Sequence, residues 1–112
     1  MSRFEQLDGE SWETFVAAEK AVLMLGKTDC IACAKFSDEI ESLLSDESKY
    51  QDVRFGKIYL DQRGLIGFKK ANPWLSEVTD LPFTVIYREG ELAKKFVGGG
   101  IDRLTNRLER LD

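Results

Sequence analysis

The chain lacks histidine altogether, and among its 112 residues it has only two cysteines and two prolines. A structural zinc site takes four ligands, so two cysteines with no histidine could complete one only with carboxylates or a second copy of the chain. Two cysteines three apart are also no secreted disulfide scaffold. Long apolar runs are missing: the longest, residues 21–25, is far too short to span a bilayer. An excess of positive charge is missing too. The net charge of −4 argues against nucleic acid or anionic membranes as partners. Repeats, low-complexity tracts and Pro/Ser linkers are absent. The first ten residues carry Arg3, Glu5, Asp8 and Glu10 and hold no apolar leader core, so a cytoplasmic location is the expectation. What is left is a chain of the right length for one domain, residues 1–112, with 43% hydrophobic and 32% charged residues, ordinary for a soluble protein.

Periodicity divides that domain into alternating elements. Residues 4–7 read as a short strand. Ser11 is placed to cap a helix over residues 12–20, and residues 21–25 form a continuous apolar run that reads as a buried strand. After Cys30 a helix is marked by Cys33, Phe36, Ile40, Leu43 and Leu44 at helical spacing. A strand over residues 53–60, a helix over 64–71 ended by Asn72-Pro73, and a strand over 83–87 follow. Glu89-Gly90 turns the chain into an antiparallel strand over residues 92–97, and Ile101, Leu104, Leu108 and Leu111 mark a last helix. The order β-α-β-α-β-α-β-β-α predicts an α/β fold: a mixed sheet of four or five strands with helices on both faces, its final hairpin antiparallel.

The chemistry rests on Cys30-Ile31-Ala32-Cys33, where the apolar strand gives way to a helix. The thiolate is the reactive form of cysteine. A helix N-terminus offers unpaired N–H groups and the positive end of the dipole, which favour that anion. Cys30 is therefore expected as the exposed nucleophile, and Cys33, one turn in on the same side, as the buried resolving thiol able to close a small disulfide ring. Lys27 and Lys35 favour the thiolate and Asp29 opposes it. Ile31 and Ala32 are apolar and suit a contact surface for a partner. Two other readings stay open: half of a zinc site completed by a second copy or by carboxylates, and a pair of inert core cysteines.

These residues, together with Lys57-Ile58-Tyr59-Leu60-Asp61-Gln62, Leu81-Pro82, Glu89-Gly90-Glu91 and Val97-Gly98, resemble the thioredoxin superfamily over nearly the whole chain. The resemblance implies a thioredoxin-like fold in which Pro82 is cis and faces the dithiol. It implies a docking groove formed by Ile31, Ala32, Leu81, Pro82 and Gly98. It further implies thiol–disulfide oxidoreductase activity with no metal or organic cofactor, protein disulfides as substrates, a separate reductase, and a monomer.

Two departures mark the chain. Asp29, Ile31 and Ala32 stand where the family's usual site has Trp, Gly and Pro. Met24 stands where thioredoxins have a buried acid that accepts the second thiol's proton. Lys57 keeps its place without that partner: it either runs its stem to solvent, the favoured outlet, or stays buried and tunes the site, and it or a water takes over the route for the Cys33 proton. A second likeness is to glutaredoxins, carried by Lys27-Thr28-Asp29-Cys30 and by Gly98-Gly99 with Asp102. It implies that Lys27 and Asp102 could hold glutathione, although Asp102 also suits the first turn of the last helix. Trp74 either folds over the dithiol or packs on the core. Lys94-Lys95 reads as a solvated face. The same departures leave room for a partner-binding module with a slow dithiol.

Overall fold

The computed structural model describes residues 3–111. Its elements run β1 (Phe4–Gln6), α1 (Trp12–Val16), β2 (Lys20–Gly26), α2 (Ile31–Leu44), β3 (Arg54–Tyr59), α3 (Ile66–Ala71), β4 (Phe83–Arg88), β5 (Glu91–Val97) and α4 (Ile101–Glu109), with a 3-10 turn at Pro73–Glu77. The strands form one sheet in the order β1-β3-β2-β4-β5. β1, β3 and β2 are mutually parallel, whereas β4 runs antiparallel to β2, and β5 to β4. The change of direction therefore falls at the centre of the sheet, beside β2.

Beyond Lys20, β2 is apolar and buried because both of its faces are covered. Val22 and Met24 pack with Phe36, Ile40 and Leu44 of α2 and Leu104 and Leu108 of α4. Ala21, Leu23 and Leu25 pack on the other face with Phe15 of α1 and Phe68 of α3. Gly56 of β3 is required there: a Cβ would come within 2.8 Å of Leu7 Cδ1 and Phe15 Cε1.

Several expected boundaries shift for identifiable reasons. α1 ends at Val16, not Lys20, because Lys20 is drawn into β2 by pairing with Arg88, and the Glu19 carbonyl accepts the Glu89 N–H at 2.8 Å. Ser11 makes no side-chain cap on α1. Its hydroxyl instead accepts the Asp8 N–H at 2.9 Å and donates to Asp8 Oδ1 at 3.0 Å. α3 begins at Ile66 because Gly64 holds φ at +83°, outside the helical region. Asn72 does end α3, donating from Nδ2 to the Phe68 carbonyl at 2.8 Å, and Pro73 then opens the 3-10 turn.

Tyr87 gives the core a pH limit. Its ring is buried, and burial pushes its phenol up from 10.0 to about 12. A raised value means the fold keeps the full contribution below pH 10 and loses it as pH climbs toward 12. The loss is about 3 kcal/mol across that span. Alkaline denaturation should set in above pH ~10. Tyr87→Phe should flatten that limb in urea melts compared between pH 9 and 11; an equal alkaline loss in the variant would place its cause elsewhere.

Candidate active site

The turn from β2 into α2 places the two sulfurs. Cys30 has extended backbone (φ −114°, ψ 106°) and is the N-cap of α2. Its carbonyl accepts the Ala34 N–H at 3.0 Å, while its Sγ accepts the Cys33 N–H at 3.1 Å. An otherwise unpaired amide of the helix end thus points at the sulfur, the arrangement that favours a thiolate once the pair is reduced. Cys30 and Cys33 are joined by a disulfide, with Cα atoms 5.2 Å apart. Cys33 is 2% exposed, and Cys30 is half-buried. Cys30 is thus the outer sulfur of the two, though half-buried and not fully exposed as expected, and Cys33 the inner one.

Pro82 approaches the pair from β4. The Leu81–Pro82 peptide is cis. The Leu81 carbonyl oxygen lies 4.0 Å from Cys30 Sγ, and the Pro82 carbonyl accepts the Gly98 N–H at 2.7 Å. Two open cavities flank the disulfide. One, of about 380 Å³, is lined by Ala32, Leu81, Pro82 and Gly98 with Lys35 and Phe36. The other, of about 320 Å³, is lined by Lys27, Cys30 and Leu81 with Leu60, Val78 and Asp80. Ile31 lines neither; it stands out from the surface, 90% exposed. Asp29 is exposed at φ +59°, in the tight turn that delivers Cys30 to its cap position.

The inner wall differs from the expectation for Lys57. Met24 is fully buried and stands in register with Lys57 on one side and Thr84 on the other. Gly26 leaves room there: a Cβ on it would lie 3.3 Å from both Cys33 Sγ and Met24 Cε. Lys57 does not run to solvent. It is half-buried, and its Nζ donates to Ser37 Oγ at 3.0 Å, with the rings of Phe4 and Tyr59 at 5.1 and 5.5 Å. Ser37 is itself 6% exposed.

Other candidates fall outside the site. Asp102 lines a separate cavity between α2 and α4, with Leu43, Tyr50 and Glu109, so it does not join Lys27 beside Cys30. Trp74 packs on Phe83 at 5.9 Å between ring centroids and does not cover the dithiol. The Lys95 ammonium sits 5.2 Å over the Trp74 ring, so Lys95 is not merely solvated. Among the described residues, no group of three or more His, Cys, Asp or Glu could hold a metal ion.

Sequence reasoning missed two supports. Asp61, just past β3, accepts the Thr28 N–H at 3.2 Å on each carboxylate oxygen and also bonds the Thr28 hydroxyl. Ser37 was visible only as a polar residue one turn beyond Cys33, on the buried face of α2.

Comparison with solved structures agrees with this geometry. The chain is similar to thioredoxin O2 from Arabidopsis thaliana in its oxidised state, at 24% identity and a TM-score of 0.75, covering 98% of this chain and 95% of that one. It is similar to oxidised mitochondrial thioredoxin 3 from Saccharomyces cerevisiae, at 23% identity and a TM-score of 0.74, covering 96% and 94%. A third likeness is to a chain from work on thiol resolving in yeast mitochondrial 1-Cys peroxiredoxin, at 22% identity and a TM-score of 0.76, covering 98% and 99%. No protein-family model matches the sequence, and no curated protein matches it. The fold is the thioredoxin fold, and it carries a C-x-x-C pair at the start of α2. That combination suits thiol–disulfide exchange.

Asp61 offers a direct test of the outer loop. The Thr28 hydroxyl holds its carboxyl below the ordinary value of 3.8. Its grip is therefore complete above that value and fails as pH falls through the lowered one. Asp61→Ala should raise the hydrogen-exchange rate of the Thr28 amide roughly threefold at neutral pH. An unchanged rate would mean the loop is held by other contacts.

Proposed function

We propose that this chain is a small protein thiol–disulfide oxidoreductase. The observation that carries the proposal is Cys30 Sγ capping α2 while joined to the buried Cys33. In the reduced protein the Cys30 thiolate attacks a substrate disulfide. One substrate sulfur leaves as a thiolate, and a mixed disulfide forms. Cys33 then attacks the Cys30 sulfur, the second substrate thiolate leaves, and the intramolecular disulfide re-forms. The pair gives up two electrons to the substrate. A separate reductase restores the dithiol.

The substrate is a protein segment lying in the cavity of Ala32, Leu81, Pro82 and Gly98, with the exposed Ile31 as an apolar contact beside it. Lys27, beside Cys30, supplies a positive charge at the second cavity, and Asp29 offsets it. Glutathione is the weaker substrate candidate, because Asp102 lies away from Lys27. The domain works as a monomer.

The test is a redox titration in glutathione and dithiothreitol buffers, read by alkylation and intact mass. A reversible two-electron Cys30–Cys33 couple between about −270 and −120 mV is the expected result. Cys33→Ser should trap a mixed disulfide on Cys30, and Cys30→Ser should abolish exchange. Thiols that stay reduced and react no faster than free cysteine would leave a partner-binding module as the better description.

A further inference from the structure

Resolution of the mixed disulfide needs Cys33 as a thiolate, yet Cys33 is buried and burial favours the neutral thiol. The strand position beside it holds Met24, which can neither accept a proton nor carry charge. Three polar residues remain on that buried wall. Lys57 and Thr84 flank Met24 in register across the sheet. Ser37 follows Cys33 by one turn on the face of α2 that packs on the same row. Of these, Thr84 Oγ1 has no hydrogen-bond partner, whereas Lys57 and Ser37 are bonded to each other at 3.0 Å.

A lysine stem in this row could swing outward to water. It does not. The Ser37 hydroxyl turns the ammonium back against α2, between the Phe4 and Tyr59 rings. The ammonium is thereby held 3.0 Å from the Ser37 hydroxyl, and Ser37 follows Cys33 by one helical turn. Met24 Cε and Cys33 Sγ converge on Gly26, so the row that begins at Lys57 reaches the sulfur through that methionine.

We propose that Ser37 is a positioning residue: it holds the Lys57 ammonium where it stabilises the Cys33 thiolate, the task a strand carboxylate would otherwise perform by taking the proton. The inference rests on the oxidoreductase reading and concerns only its second step. In that step Cys33 releases its proton to solvent and attacks the Cys30 sulfur. The Cys30–substrate bond breaks, the Cys30–Cys33 bond forms, and the electron pair leaves on the substrate sulfur.

An aromatic disulfide reagent, 5,5′-dithiobis(2-nitrobenzoate), separates the steps. Mixed with the reduced full chain in a stopped-flow instrument, it releases one coloured thiolate when Cys30 attacks and a second when Cys33 resolves. Ser37→Ala should slow the second phase about tenfold relative to the first, and move its pH midpoint upward by about one unit. Ser37→Thr, which keeps the hydroxyl, should restore it. Lys57→Gln should slow the second phase similarly, and Ser37→Ala should add nothing in that background. If Ser37→Ala fails to fold, Ser37→Thr and Lys57→Gln still carry the comparison. A second phase that is unchanged in Ser37→Ala at every pH overturns the proposal alone, as do effects of the two substitutions that multiply. A wild-type first phase no faster than free cysteine overturns the oxidoreductase reading, and this proposal with it.

Discussion

Everything at this site depends on where one sulfur stops. β2 is buried on both faces and cannot bend, so it fixes where the chain leaves the sheet at Gly26. The next four residues must turn the chain into α2, whose own place is fixed by Phe36 and Ile40 in the core. Asp29 takes a left-handed conformation to make that turn, and Asp61 pins the loop from the end of β3. The outcome is that Cys30 Sγ receives one of the free amides of the helix end, that of Cys33. Neither the strand nor the helix creates the reactive sulfur; their rigid juxtaposition does. A surface loop carrying the same two cysteines would leave the amide to water and the thiol near its ordinary reactivity.

The same rigidity explains why the inner wall is informative. Residues opposite one another across a sheet share a face, so Lys57, Met24 and Thr84 are compelled to face α2 together. A lysine on that face has two outlets: solvent at the sheet edge, or a polar atom on the helix. The flexible stem ordinarily favours solvent, because burying an ammonium without hydrogen bonds is costly. The Ser37 hydroxyl and two aromatic faces offset that cost here. In this chain Met24 and Ser37 are thus linked through Lys57, which stands opposite the one and donates to the other.

Much of the fold was legible because it follows from local patterns. The doubly covered β2, the stripe of α2 and the hairpin turn at Glu89-Gly90 each announce themselves by composition and period. Boundaries were lost where long-range pairing decides them. Lys20 looks helical in sequence, but Arg88 on β4 claims it for the sheet. Ser11 looks like a cap, but Asp8 competes for its hydroxyl. At the site, the cysteines stood out by their spacing, whereas the part of Pro82 came only from the family resemblance. Ser37 and Asp61 were not, since their meaning lies in partners 20 and 33 residues away in sequence. Lys57 was legible as a residue, but the sequence favoured the wrong one of its two outlets, because the choice depends on which side chain α2 offers.

The choice between protein and glutathione substrates turns on how charge and apolar surface are divided around Cys30. A tripeptide with charged ends needs opposite charges on both sides of the sulfur, within its own short reach. Lys27 meets half of that requirement. Asp102 sits with Leu43, ten residues along α2 from Cys33, or about 15 Å down the helix axis. An extended protein segment asks for something else: backbone groups and small side chains along a groove, with an apolar contact at its rim. On the proposed reading, the cavity lined by Leu81, Pro82 and Gly98 would serve as that groove, with Ile31 projecting beside it. A side chain of that size left nearly bare costs solubility, and a single aliphatic residue is tolerable on that account. Ile31 follows the outer sulfur directly in the chain, so on the proposed reading a partner that buries it would stand close enough to exchange disulfides.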